Sequence, residues 1–192
     1  LLTLSRIVVI PLVIATFYVA GDGAHWLGCV LFSAAGVTDW LDGHVARRWS
    51  QQSEIGRFLD PIADKLLVSA TLLMLTAFSR LPAEALLPAL VILCREILVS
   101  GLREYLAGIR VGVPVSRLAK WKTFIQMVAI GFLIVGDAGP SLLPVTTIGG
   151  VLLWLAALLT LVTGYDYLRA GLPHMTQRPP PRPNRVKSQP LV

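Results

Sequence analysis

The chain has 192 residues, of which 55% are hydrophobic and only 15% charged, and its formal net charge at pH 7 is +6. An average soluble domain carries about 25% charged residues, so the composition excludes an ordinary soluble domain. It also excludes a disordered chain, which would be polar and rich in charge.

Six apolar stretches are long enough to cross a bilayer, whose core of about 30 Å needs roughly 20 helical residues. Because backbone groups in lipid must be hydrogen-bonded internally, uninterrupted runs of this length predict helices rather than barrel strands. The first run contains Pro11 as a tolerated kink, and Gly149 and Gly150 in the last run are expected to allow close helix packing. The predicted spans are 2–20, 25–45, 59–78, 82–107, 118–135 and 144–168.

The sequence therefore predicts an all-α integral membrane protein, with six transmembrane helices in a catalytic domain of residues 1–170. Lysine and arginine lie between spans two and three, between spans four and five, and after span six, whereas the opposite connections contain only Arg80. Positive residues stay on the cytoplasmic side, so both termini are expected to face the cytoplasm. Residues 171–192 form a Pro-rich basic tail that is expected to be cytoplasmic and disordered.

The charge pattern also limits the partners and the location. The positive charge is explained by the topology and by attraction to the anionic head groups of the lipid bilayer, so nucleic-acid binding is not expected. We expect a multi-pass protein of the cell (inner) membrane whose active site faces the cytoplasm.

Four aspartates close together in the sequence are the strongest candidates for chemistry: Asp39, Asp42, Asp60 and Asp64. The first two are three residues apart and the last two are four residues apart, so each pair shares a helix face. Four ionised carboxylates at a membrane boundary would repel each other unless cations were bound. Oxygen ligands without His or Cys select Mg²⁺, Mn²⁺ or Ca²⁺, and a two-metal centre is expected. Helix capping before Pro61 would explain Asp60 alone.

The residues between the two pairs suit a substrate that carries phosphate. Gly43 and Gly56 remove bulk where a ligand could approach the backbone. Arg47 lies one helical turn after Gly43 and can offer a fork of donors to a phosphate. Anchoring of the helix on the positive side of the membrane is the alternative for Arg47.

These residues form a motif with fixed spacing. The stretch Asp39-Trp-Leu-Asp42-Gly43-His-Val-Ala46-Arg47 is followed, after eight residues, by Gly56-Arg-Phe-Leu-Asp60-Pro-Ile-Ala-Asp64. It matches the signature D-x2-D-G-x2-A-R-x8-G-x3-D-x3-D, and the chain thus resembles the CDP-alcohol phosphatidyltransferases. The six-helix membrane fold of that family agrees with the spans above.

The resemblance implies a reaction and a set of site residues. The four aspartates would bind two ions of Mg²⁺ or Mn²⁺ per active site, and Asp64 would also be the general base. An alcohol would attack the lipid-bound phosphate of CDP-diacylglycerol, and CMP would leave. A homodimer is expected from the resemblance alone. The residues that would contact CDP-diacylglycerol are Gly43, Ala46, Arg47 and, as further candidates, Ser53 and Gly56.

The basic residues around the connection between spans four and five indicate which alcohol is the acceptor. The stretches that begin at Arg95-Glu96 and Lys120-Trp-Lys122 resemble the branch of this family that makes phosphatidylglycerol phosphate from sn-glycerol 3-phosphate. The acceptor phosphate would then be bound by Arg95, Arg103, Lys120 and Lys122. Pairing of Arg95 with Glu96, and surface anchoring by the two lysines, are alternatives that the residues leave open.

Other acceptors and a different class of protein are alternatives to this function. Inositol phosphate or phosphatidylglycerol as the acceptor would keep the same chemistry. A divalent-cation transporter is the alternative from another class, because carboxylates can line an ion path. Against it, the aspartates cluster at one membrane face, and the later spans contain no matching set.

Overall fold

The computed structural model describes residues 2–49, 54–109, 111 and 117–176, and within them the side chains of residues 7–38, 62–63, 65–109, 111 and 118–172. These ranges contain helices and turns but no strand. Single turns of 3₁₀ helix lie at Ala83–Ala85 and Gly136–Ala138. The long helices of the described chain are α1 (Leu2–Phe17), α2 (Asp22–Trp49), α3 (Glu54–Ala77), α4 (Leu86–Gly108), α5 (Arg117–Val135) and α6 (Val145–Thr176).

The predicted all-α architecture is confirmed, because six long α-helices occupy the positions of the six apolar stretches in the described chain. Pro11 lies inside α1, as expected. Within the part of the chain whose side chains are described, three segments are long and apolar enough to cross a membrane: Ala83–Gly108, Leu118–Ala138 and Val145–Leu172. Shorter apolar segments lie in α1 and α3, at Ile7–Phe17 and Lys65–Ala77. The chain is therefore a membrane protein.

Two helix ends differ from the predictions. Helix α3 begins at Glu54, so Asp60 and Pro61 lie inside it, and the explanation of Asp60 as an N-cap is wrong. Helix α6 continues to Thr176, beyond the predicted start of the tail at residue 171. A Cβ atom on Gly171 would lie 3.1 Å from side-chain atoms of Leu102 and Leu106, which shows that this part of α6 packs closely against α4. Residues 177–192 of the predicted tail lie outside the described residues.

The helices pack around a common apolar core. Helix α1 packs against α2 and α3, α5 packs against α2 and α6, and α4 packs against α6. A Cβ atom on Gly149 would lie 2.9 Å from Cγ of Leu133, so the predicted close packing is confirmed there. It is wrong for Gly150, where an added Cβ would meet open space. The fully buried core residues include Phe32, Leu75, Ile130, Leu133 and Leu153.

Consecutive helices alternate in direction because short connections join antiparallel neighbours. The ends of α2, α4 and α6 and the starts of α3 and α5 therefore lie toward one end of the bundle, which we call the basic end. At the opposite end, the indole N–H of Trp26 donates to the carbonyl oxygen of Ala138 at 3.1 Å. Trp154 donates in the same way to Glu84 at 3.2 Å. These bonds connect α2 and α6 to neighbouring helix ends.

Helix α3 ends in a Schellman motif with serine in the place usually held by glycine. Ser79 has φ +55°, the backbone N–H of Arg80 donates to Leu75 at 2.9 Å, and that of Ser79 donates to Thr76 at 3.1 Å. Cζ of Arg80 then lies 4.9 Å from the ring centroid of Phe17. Burial lowers the pKa of Arg80, and the negative charge of Asp137 opposes this shift.

Candidate functional site

The aspartates of the motif lie on two helices that share neighbours. The structure places Asp39 and Asp42 in the C-terminal part of α2 and Asp60 and Asp64 in the N-terminal part of α3. Only residues 50–53 separate these helices, so both pairs lie toward the basic end. Helices α1 and α5 each pack against both α2 and α3. The four side chains lie outside those described, and their convergence stays a prediction.

The donor set on these helices fits a hard divalent cation. Carboxylate oxygens are the ligands that Mg²⁺ and Mn²⁺ prefer, and the motif offers no sulfur ligand. The predicted CDP-binding residues Gly43, Ala46 and Arg47 belong to α2, and Gly56 belongs to α3. Nothing is described of the side chains of Ala46 and Arg47, and Ser53 lies outside the described residues altogether.

A second constellation consists of residues whose side chains the structure describes. A cavity of about 460 Å³ opens between α4, α5 and α6 toward the basic end, with one lining residue from α3. Its volume lies within the range of about 300–1,000 Å³ that is usual for small-molecule sites. Among the described lining residues, four side chains are cationic and two are anionic, so the charge of this lining favours a small anion. The lining residues are Lys65, Arg95, Glu96, Val99, Ser100, Arg103, Glu104, Ala107, Ala119, Lys122, Thr123 and Tyr167.

The cavity brings together three of the four residues predicted to bind the acceptor phosphate: Arg95, Arg103 and Lys122. It does not include Lys120, which is exposed. Residues two apart on a helix point in different directions, so Lys120 and Lys122 lie on different faces of α5. Lys122 is buried among the helices with its side chain only 4% exposed, which argues against surface anchoring. Surface anchoring remains compatible with the position of Lys120.

Glu96 connects the cations of this cavity. Its Oε1 accepts a hydrogen bond from Nζ of Lys122, and the same oxygen lies 3.5 Å from Nη1 of Arg95. Buried cations are costly unless they are paired, and this carboxylate compensates two of them. Pairing of Arg95 with Glu96 is thus confirmed, and Arg95 lines the cavity as well.

Helix α6 provides the other wall. The hydroxyl of Thr163 accepts a hydrogen bond from Nη2 of Arg95 at 3.0 Å. Cζ of Arg103 lies 6.0 Å from the ring centroid of Tyr167. The sequence predictions missed Thr163 and Tyr167, because a long apolar helix such as α6 gives no periodic signal for one face. They also missed Lys65, although it directly follows Asp64.

Known proteins are similar to the part of the chain that contains the aspartate motif and the cations of the cavity. Residues 1–162 match the model of a family described as CDP-alcohol phosphatidyltransferase. A Rickettsia bellii protein named CDP-diacylglycerol--glycerol-3-phosphate 3-phosphatidyltransferase is 47% identical over 169 residues, 88% of this chain and 92% of that protein.

Two more distant relatives carry the same name. The Cereibacter sphaeroides protein is 37% identical over 210 residues, 91% of this chain and 95% of its own. The Shigella flexneri protein is 40% identical over 173 residues, 89% of this chain and 92% of its own. The family match includes both aspartate pairs and the cations of the cavity, whereas Thr163 and Tyr167 follow its last residue.

Proposed function

Because this chain belongs to the CDP-alcohol phosphatidyltransferase family, we propose that it transfers a phosphatidyl group from CDP-diacylglycerol to sn-glycerol 3-phosphate. The products are phosphatidylglycerol phosphate and CMP. The observation that carries this choice of acceptor is the cavity lined by Arg95, Arg103 and Lys122. The names of the similar proteins support the same acceptor.

The cavity residues bind the phosphate of the acceptor. Guanidinium and ammonium groups donate charge-assisted hydrogen bonds to phosphate oxygens. Lys65 lines the same cavity and follows Asp64 in α3. We expect the hydroxyl of a glycerol phosphate bound here to reach the general base predicted at Asp64.

The aspartate pairs serve the donor side of the reaction. Asp39, Asp42, Asp60 and Asp64 would hold two Mg²⁺ or Mn²⁺ ions, which when bound neutralise the diphosphate and stabilise the charge on the departing CMP. Gly43, Ala46 and Arg47, with Ser53 and Gly56, bind the CDP part of the lipid.

The chemistry is a displacement at phosphorus. The acceptor hydroxyl oxygen forms a bond to the phosphorus that carries diacylglycerol, and Asp64 takes the hydroxyl proton. The bond between this phosphorus and the oxygen of CMP breaks, and CMP leaves with the electron pair.

The proposed setting follows from the charge pattern. All six helices cross the cell (inner) membrane, the basic end and both termini face the cytoplasm, and the enzyme works as a homodimer. The lipid chains of the donor then remain in the bilayer while its nucleotide meets a soluble acceptor.

An acceptor panel tests the proposal. The purified protein in detergent, with CDP-diacylglycerol and Mg²⁺, is given glycerol 3-phosphate, inositol phosphate or phosphatidylglycerol, and CMP release and lipid products are measured. We expect glycerol 3-phosphate to give the highest kcat/KM. Preference for another acceptor, or no CMP release by a folded protein with intact donor, would overturn it.

A further inference from the structure

The arginines of α4 are held from one side by helix α6. We infer that Thr163, Gly164 and Tyr167 are positioning residues that set the direction of Arg95 and Arg103 in the acceptor cavity, an inference that rests on the proposed function. These three residues touch the arginines and place them, and no chemical step is assigned to them.

Thr163 is an oriented hydrogen-bond acceptor. Its hydroxyl lies 2.9 Å from the carbonyl oxygen of Leu159, to which it donates within α6. A hydroxyl has one proton and two lone pairs, so this donation leaves a lone pair for the Nη2 of Arg95, 3.0 Å away. With Thr163 only 1% exposed, water does not compete for this bond.

Gly164 lets the stem of Arg95 lie against α6. A Cβ atom at this position would be 3.2 Å from Cγ and 3.3 Å from Nε of Arg95. Alanine would therefore push the arginine away by a few tenths of an ångström. Because the guanidinium also lies 3.5 Å from Oε1 of Glu96, such a shift changes its position relative to Glu96 and the cavity.

Tyr167 extends the contact surface formed by Thr163 and Gly164 by one helical turn. It lies four residues after Thr163 and so shares its face of α6. Its side chain lines the cavity, and Cζ of Arg103 lies 6.0 Å from its ring centroid, within the range of cation–π contact. One face of α6 thus directs both arginines, which fixes where the acceptor phosphate binds.

Kinetic analysis of Thr163 variants tests the inference. Thr163→Val removes the accepting lone pair with little change in volume. We expect the KM for glycerol 3-phosphate to rise roughly tenfold, while kcat and the KM for CDP-diacylglycerol stay within about twofold of wild type. Thr163→Ser keeps the hydroxyl and should restore the acceptor KM.

Two controls are matched by position. Thr160 is fully buried one turn earlier on α6, and Thr160→Val should leave the acceptor KM unchanged. Gly164→Ala should raise the acceptor KM even if Thr163→Val does not fold. Gly150→Ala is the control for Gly164→Ala, because an added Cβ at Gly150 would meet open space.

Three results would overturn the inference: a wild-type acceptor KM in Thr163→Val and Gly164→Ala, an equal rise in the donor KM, or no rescue by serine. A wild-type enzyme that prefers another phosphorylated alcohol would refute the proposed acceptor only, and the same variants would then be measured with that alcohol. Transfer to no phosphorylated alcohol at all would overturn both.

Discussion

Glu96 of α4 and Lys122 of α5 form an ion pair in which the lysine side chain is only 4% exposed. The same carboxylate oxygen lies 3.5 Å from Nη1 of Arg95. One anionic group therefore compensates two buried cations and joins two helices at the cavity. An anionic ligand in this cavity would lie among the cationic side chains of Lys65, Arg95, Arg103 and Lys122.

Neutralising this carboxylate is expected to destabilise the protein. Breaking a buried pair by removing one partner costs roughly 3 kcal/mol, so Glu96→Gln should lower the apparent Tm in detergent. Glycerol 3-phosphate should raise the Tm of this variant more than that of the wild type, because its phosphate replaces part of the lost charge. Glu104→Gln, an exposed change on the same cavity, is the control. An unchanged Tm in Glu96→Gln would contradict the structural role of the pair.

Removing one predicted metal ligand is expected to abolish most activity. Asp60→Asn keeps the size of the side chain and removes its charge, so turnover should fall by about two orders of magnitude or more. The Mg²⁺ concentration for half-maximal activity should rise at the same time. Asp22→Asn, in the first turn of α2 at the opposite end, should behave as wild type. Unchanged turnover and Mg²⁺ dependence in Asp60→Asn would remove this residue from the metal site.

The turn after α3 offers a stabilising substitution. Ser79 is exposed and has φ +55°, a conformation that glycine adopts without the steric cost of a Cβ atom. Relief of this conformation is worth about 1–3 kcal/mol, and the greater freedom of glycine in the unfolded chain offsets roughly 0.5–1 kcal/mol of it. Ser79→Gly should therefore stabilise the protein and leave the kinetics unchanged. Ser79→Ala keeps the Cβ atom and should show no such gain. Thermal unfolding of both variants checks this, and a lower Tm for Ser79→Gly would show that other contacts of Ser79 matter more.

Substitution of Arg103 is expected to affect the KM values of the two substrates differently. Since it lines the cavity beside Tyr167, Arg103→Ala should raise the KM for glycerol 3-phosphate about tenfold and change the KM for CDP-diacylglycerol much less. Arg169→Ala, at an exposed position of α6, is the control for loss of a basic residue at this end. The reverse pattern, with the donor KM more affected, would place the acceptor phosphate elsewhere.

Hydropathy located the helices because length and apolarity are properties of the local sequence. It misplaced the start of α3, since Pro61 normally marks a helix start and here lies inside the helix. It ended α6 too early, because the polar and Pro-rich composition after residue 170 hides the packing of Gly171 against α4. Helix ends set by tertiary contacts cannot be found from composition.

Only part of the candidate site, too, could be predicted from the sequence. Spacing in the sequence predicts the aspartate site, because all four aspartates lie on two consecutive helices. It does not distinguish Lys122 from Lys120, since the choice depends on which face of α5 lines the cavity. Thr163 and Tyr167 acquire a role only through the packing of α6 against α4.

The two lysines of α5 give the most direct test of the claim that the cavity binds the acceptor phosphate. Lys122→Gln and Lys120→Gln remove the same charge two residues apart, one buried and one exposed. We expect Lys122→Gln to raise the KM for glycerol 3-phosphate about tenfold or more with little change in the donor KM, and Lys120→Gln to match the wild type. Equal acceptor KM values in both variants and the wild type would contradict the claim.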